Sequence, residues 1–283
     1  MTGAGFAALV STDWLAANLA APDLRVVDAS WYLPTERRDP KAEYRAAHLP
    51  GAVFFDIDEI ADTASPYPHM LPAPEKFSAR VRKLGLGDGN RIVAYDSGSM
   101  MAAPRVWWMF RVFGHDDIAV LDGGMAKWRA EGRSIEDLAP MPRERHFTAR
   151  LNNLMVRDLA QVRANIDAGR EQLVDVRAAG RFKGTAPEPR PGVRSGHIPG
   201  ALNLPHDRLI DAESRTFLGP DSLRRRVADA GIDLSKPIVA SCGSGVSACV
   251  LALALHLIGH RNTSVYDGSW SEWGGRGDTP IAT

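Results

Sequence analysis

The feature that most constrains this chain is an internal repeat. Four phrases of the first half return in the same order in the second. LRVVDAS (Leu24–Ser30) is answered by QLVDVRA (Gln172–Ala178), and AAHLPGAVFFDID (Ala46–Asp58) by SGHIPGALNLPHD (Ser195–Asp207). GLGDGNRIVAYDSGSM (Gly85–Met100) is answered by GIDLSKPIVASCGSGV (Gly231–Val246), and LDGGMAKW (Leu121–Trp128) by YDGSWSEW (Tyr266–Trp273). Self-similarity at a long period means two copies of one folding unit, and 283 residues suit two domains of ordinary size. The expected division is residues 1–137 and 153–283, joined by a polar, Pro- and Arg-containing linker over 138–152.

Within each copy, short apolar runs alternate with longer helix-compatible stretches. Strands are expected near Leu24–Val27, Val53–Phe55, Ile92–Tyr95 and Ala119–Leu121, then near Gln172–Val176, Ala201–Asn203, Pro237–Ser241 and Ser264–Tyr266. Helices are expected over Thr12–Asn18, Pro74–Lys83, Pro104–Phe113, Arg157–Asp167, Asp221–Ala230 and Val246–Ile258. Near-continuous apolar strands alternating with helices predict an α/β fold: in each domain, a parallel sheet with helices on both faces.

The most telling stretch is KPIVASCGSGVSACVLALALHLIG (Lys236–Gly259), a strand, a tight glycine-containing loop and a helix. Cys242 follows the strand directly, at the edge where open α/β sheets bind ligands. Loop N–H groups and the helix N-terminus would favour a thiolate there. Cys249, inside the apolar helix, is expected to be a packing residue. In the other copy Asp96 stands opposite Cys242. A buried unpaired carboxylate is costly, so this position is expected to open onto solvent or a polar cleft in both copies. His48 and His197, heading the paired HLPGA and HIPGA phrases, are expected to be structural because both copies carry them. By the same logic Trp128, Trp270 and Trp273 are expected in the core or at an interface rather than stacked on substrate.

Composition excludes several classes. Formal net charge is zero, which implies no general attraction to nucleic acid or to an anionic membrane. Two cysteines make neither a disulfide framework nor a zinc site, which favours a reducing, cytoplasmic location. The first 20 residues lack a basic n-region and a long apolar core, and no run approaches the roughly 20 apolar residues that span a bilayer.

Taken together, CGSGVSA (Cys242–Ala248), GHIPGA (Gly196–Ala201), YDGSWSEW (Tyr266–Trp273), SPYPHMLP (Ser65–Pro72) and GRFKGTAPEPR (Gly180–Arg190) resemble the rhodanese superfamily. Within it, the chain is most similar to the two-domain group that takes sulfur from 3-mercaptopyruvate. The resemblance implies an inactive N-terminal domain, an active C-terminal one and a persulfide on Cys242 during turnover. It implies substrate contacts from Arg181, Arg190 and the loop residues Gly243, Gly245, Val246 and Ser247. It also implies a proton-moving set of Ser244, His69 and Asp58, the last two supplied by the first domain, so that the site would lie where the domains meet. Thiosulfate-using members usually carry basic residues after the cysteine, where this chain has Gly243 and Ser244. Ser247 stands where threonine is commoner in the family.

Chemistry reads the same residues compatibly. Sulfur leaves carbon only if the carbon fragment departs as a stabilised anion, here the enolate of pyruvate. That calls for a thiolate, donors for developing charge and a clamp for an α-keto acid, which a pair of arginines supplies. The expected partners are 3-mercaptopyruvate as donor and a thiol, cyanide or a small redox protein such as thioredoxin as acceptor. No metal or organic cofactor is called for. Three other functions compete. A thiosulfate:cyanide sulfurtransferase would use the same cysteine, and a non-catalytic persulfide carrier or interaction module would use the same fold. A cysteine phosphatase needs an arginine where Ala248 stands, and so lacks its phosphate clamp.

Overall fold

The computed structural model describes residues 6–283. Among them, each half of the repeat builds one five-stranded sheet in which every neighbouring pair is parallel. In the first, β1 (Leu9–Val10), β2 (Leu24–Asp28), β3 (Val53–Phe54), β4 (Arg91–Tyr95) and β5 (Ile118–Leu121) lie in the order β1-β5-β4-β2-β3. In the second, β6 (Val156–Arg157), β7 (Gln172–Asp175), β8 (Leu202–Asn203), β9 (Ile238–Ser241) and β10 (Thr263–Tyr266) repeat it as β6-β10-β9-β7-β8. Each half of the repeat is thus an α/β domain, a parallel sheet with helices on both faces.

Alternation along the strands explains the layering. Val26, Val93, Tyr95, Ala119 and Leu121 share one apolar cluster with Leu15, Met125 and Trp128. Their neighbours Val27, Ile92, Ala94, Ile118 and Val120 are also buried, so both faces of the central strands are covered. The second sheet repeats this with Leu173, Val239, Tyr266, Trp270 and Trp273. The three repeat tryptophans are thus core residues, as is Cys249, which is fully buried and whose thiol points to Gly245 O at 3.3 Å.

The histidines of the HLPGA and HIPGA phrases do matching structural work. His48 Nδ1 bonds Tyr44 O at 2.7 Å and stacks on Tyr44, while His197 Nδ1 bonds Phe182 O at 2.8 Å and stacks on Phe182. Each also pairs its backbone with a distant strand-like residue, Glu136 and Ala282 respectively. Gly196, just before His197, has φ +112°, and a Cβ there would sit 2.4 Å from Ala282 O, so only glycine permits that pairing.

Two compact units emerge. One comprises the chain up to Ile60, Pro72–Asn152 and Ala212–Thr216; the other comprises Ala61–Leu71, Asn153–Asp211 and Phe217–Thr283. Each unit therefore holds a short segment from the other half of the sequence. The stretch 138–152, expected as a linker, packs on the first unit: His146 O accepts Asp88 N–H at 3.0 Å, and Phe147 is buried against Phe77 and Phe110.

Candidate active site

Cys242 leaves the carboxyl end of β9 and opens a loop that closes into the helix Ala248–Leu257. The helix starts two residues later than its apolar pattern suggests, because Cys249 N–H reaches back to Val246 O and Val250 N–H to Ser247 O, tight i→i−3 bonds that finish the loop first. Gly245, at φ +77°, allows the reversal.

The YDGSWSEW phrase fastens this loop from behind. Trp270 N–H bonds Cys242 O at 3.0 Å, and Ser271 bonds Gly243 O through both its N–H (2.7 Å) and its hydroxyl (2.6 Å). Ser269 Oγ accepts the N–H of Cys242 at 3.1 Å and donates to Tyr266 O at 2.7 Å. With these backbone groups tied down, the loop is held open as a fixed ring.

The first unit shows what such a ring accommodates. Asp96 occupies the position of Cys242, and Met125 N–H bonds Asp96 O at 3.1 Å just as Trp270 N–H bonds Cys242 O. The Asp96 carboxylate accepts four backbone N–H groups: Gly98 and Met100 on Oδ1 at 3.0 and 3.1 Å, Ala102 and Ala103 on Oδ2 at 3.0 and 2.9 Å. The expectation that this position is open to solvent or a polar cleft is therefore corrected: Asp96 is 2 % exposed and Cys242 1 %. A buried carboxylate is tolerable because the loop itself satisfies it. Burial pushes the Asp96 carboxyl up from its ordinary range, and the four N–H donors pull against that.

Around Cys242 the expected site residues sort as follows. Gly243 faces both arginines: a Cβ built on it would lie 3.2 Å from Arg181 Nη2 and 3.9 Å from Arg190 Nη1. Ser244 and His69 are both buried, with Ser244 Oγ 2.9 Å from His69 Nδ1. His69 has φ +62°, a conformation a non-glycine residue adopts only when its surroundings hold it there. Those surroundings are the second unit: its segment Ala61–Leu71 folds there, and Leu71 N–H bonds Asp267 Oδ2 at 2.6 Å. Val246 is buried and Ser247 half-buried at the helix start. Asp58 belongs to the first unit, in the short helix Ile57–Ile60, where its carboxylate accepts the Trp31 indole N–H at 3.0 Å. The N–H groups of that first turn are capped by Asp56 instead.

Asp175, Arg177 and Glu188 escaped sequence reasoning. Arg177 is buried, forked on Asp175 (2.6–3.1 Å), and its guanidinium carbon lies 4.3 Å from the centre of the Trp270 ring. Glu188 joins Arg177 to Arg181. The only available signal was the glutamate inside GRFKGTAPEPR, lying between two arginines already singled out.

The chain is similar to known proteins along most of its length. The family described as Rhodanese-like domain matches residues 11–131 and again 158–276. A thiosulfate/3-mercaptopyruvate sulfurtransferase of Arabidopsis thaliana, named as mitochondrial, is 44% identical over 96% of this chain and 77% of its own length. The thiosulfate sulfurtransferase of Rattus norvegicus is 46% identical over 95% of this chain and 92% of its own. The crystal structure of SseA from Escherichia coli, described as a 3-mercaptopyruvate sulfotransferase, superposes with a TM-score of 0.86 at 38% identity, covering 93% of this chain and 98% of that one.

Proposed function

This chain belongs to the rhodanese family as two such domains in tandem, and on that premise we propose that it transfers sulfur from 3-mercaptopyruvate through a persulfide on Cys242. The observation that carries the donor assignment is the convergence of Arg181 and Arg190 on Gly243, the residue beside the nucleophile. Two guanidiniums suit a carboxylate and its adjacent keto oxygen. The residues after Cys242 are neutral, so the loop itself adds no side-chain cation for a doubly charged donor.

The Cys242 thiolate attacks the sulfur of 3-mercaptopyruvate, the carbon–sulfur bond breaks, and its electron pair leaves on pyruvate enolate. Protonation of the enolate carbon gives pyruvate, and the outer sulfur stays on Cys242. The Ser244–His69 pair, 2.9 Å apart, is the relay that takes up the donor's thiol proton and delivers it to the enolate carbon. The outer sulfur is anionic, and the first unit supplies the template for holding it. The loop N–H groups at Ser244, Val246 and Ala248 occupy the positions from which Gly98, Met100 and Ala102 grip the Asp96 carboxylate. A thiolate or cyanide acceptor then attacks the outer sulfur, leaving as a persulfide or thiocyanate and restoring the Cys242 thiolate. No step requires a metal or an organic cofactor, nor does any use Asp58.

Thiosulfate as the preferred donor is the second reading, favoured by the identity to the rat thiosulfate sulfurtransferase. The test is kcat/KM with each donor on the purified protein. A strong preference for 3-mercaptopyruvate supports the clamp; a preference for thiosulfate keeps Cys242 and overturns the donor. Cys242→Ser should abolish turnover with either donor while leaving Tm within a few degrees of the parent; retained turnover removes the nucleophile. The acceptor is a small thiol, cyanide or a thioredoxin-like protein, and comparing thiocyanate formation with thioredoxin-coupled pyruvate release ranks them. A reducing, cytoplasmic location fits the two free cysteines; cell fractionation decides between that and the compartment named for the Arabidopsis relative. No helix among the described residues is long and apolar enough to cross a membrane.

A further inference from the structure

The second unit carries a chain of four alternating charges: Asp175, Arg177, Glu188 and Arg181. Asp175 forks on Arg177 Nε and Nη2 at 2.9 and 2.6 Å. Glu188 Oε1 accepts from Arg177 Nη1 at 2.8 Å and from Arg181 Nε at 3.2 Å, and Glu188 Oε2 accepts from Arg181 Nη2 at 2.6 Å. The first three side chains are buried, at 4 %, 1 % and 4 % exposure, and only Arg181 reaches partly out, at 22 %.

The duplication supplies the control. Asp28, the counterpart of Asp175, makes the same turn: its Oδ1 accepts Ser30 N–H at 2.8 Å as Asp175 Oδ1 accepts Arg177 N–H at 2.9 Å. The first unit, however, has Ser30 where the second has Arg177, so it has no cation at this position. Burying four charges is costly unless each is matched, and here they sum to zero.

We infer that Glu188 is the positioning and donor-selecting residue of the site: it orients Arg181 toward Gly243 and offsets its charge, so that the site favours a monoanionic α-keto acid over a dianion. The inference rests on reading Arg181 as half of the substrate clamp. Its geometric part follows from the fork. Glu188 occupies the Nε–Nη2 edge of the guanidinium, which fixes its plane and directs its terminal nitrogens to the loop, 3.2 Å (Nη2) and 4.0 Å (Nη1) from the Cβ position of Gly243. Its electrostatic part follows from Coulomb's law: the repulsion by one fixed carboxylate is twice as large for a dianion as for a monoanion. Removing that charge therefore helps thiosulfate more than 3-mercaptopyruvate, while the loosened Arg181 harms mainly the carboxylate clamp.

The experiment compares kcat and KM for both donors in the parent, Glu188→Gln, Glu188→Asp and Arg181→Ala proteins. For Glu188→Gln, the thiosulfate to 3-mercaptopyruvate ratio of kcat/KM should rise on the order of tenfold. An equal loss with both donors, or a fall in the ratio, would mean a structural role only and overturns the inference. Glu188→Asp keeps the charge and shortens the reach, so KM for 3-mercaptopyruvate should rise severalfold, and the donor ratio should rise with it but by less than in Glu188→Gln, where the charge is lost as well. An unchanged KM in that variant refutes the positioning role even if the glutamine variant does not fold. Arg181→Ala separates the two levels. If it leaves KM for 3-mercaptopyruvate unchanged, the clamp itself fails; if it raises that KM while Glu188→Gln leaves the ratio alone, only the role of Glu188 falls.

Discussion

Replacing Asp96 by asparagine tests whether the loop is an anion cradle. The two side chains have the same shape, so packing is conserved and only hydrogen bonding changes. The amide oxygen can still accept from Gly98 and Met100, but the amide NH2 then faces the N–H groups of Ala102 and Ala103, now 2.9–3.0 Å from a donor. Two bonds to a charged acceptor, about 1.5–3 kcal/mol each, are lost, and the flipped amide merely exchanges one pair for the other. Relief of the buried charge returns part of this, leaving a net loss of about 3 kcal/mol in the first unit. For a unit of this size that is a fall of roughly 6–12 °C in Tm. Tryptophan fluorescence during thermal or urea unfolding reports mainly on this unit, which holds five of the seven tryptophans (Trp14, Trp31, Trp107, Trp108 and Trp128). A loss below about 1 kcal/mol, within the range of ordinary surface substitutions, or any gain, would refute the claim that four donors converge on an ionised carboxylate.

Arg190→Ala should raise KM for 3-mercaptopyruvate far more than for thiosulfate, since only the former offers a carboxylate to the clamp; equal shifts in steady-state assays would count against it. Acid sensitivity follows from His115, which is buried, and His206, which is half-buried, both held below the ordinary histidine pKa by desolvation. The unfolded chain then takes up protons more readily than the folded one. Their contribution to stability is complete above about pH 6.5 and is lost as pH falls through that value toward the lower folded pKa. The urea midpoint should drop on acidification from about pH 7.5 to about pH 5, and His206→Gln should flatten the drop; a variant with the parent's slope would exclude His206 as a contributor.

The order of strands and helices was legible in the sequence because it rests on local signals. The four strand phrases read in each copy alternate with helical ones, and all eight strands form within about two residues of expectation. The edge strands Leu9–Val10 and Val156–Arg157 were not legible: two residues carry no period, and unlike the equally short Val53–Phe54 and Leu202–Asn203 they lie in no repeated phrase; they pair with β5 and β10. The short helices Ala179–Phe182 and Ser269–Trp273 likewise fall below the length at which a 3.6-residue period can be read.

What the sequence by itself determined is the duplication, the parallel α/β architecture and the placing of Cys242 directly after a strand, each written in contiguous residues. What only the tertiary structure decided is where distant side chains meet. Sequence reasoning placed His69 with the first half of the chain, yet the chain folds Ala61–Leu71 into the second unit and puts its imidazole on Ser244. Asp96 read as a carboxylate open to solvent or to a polar cleft, because nothing in a strand–loop–helix string shows four N–H groups closing on one point. Glu188 drew no notice until the fold set it between Arg177 and Arg181. Periodicity is a property of neighbours along the chain, whereas charge matching and burial are properties of neighbours in space, and only folding makes the second kind.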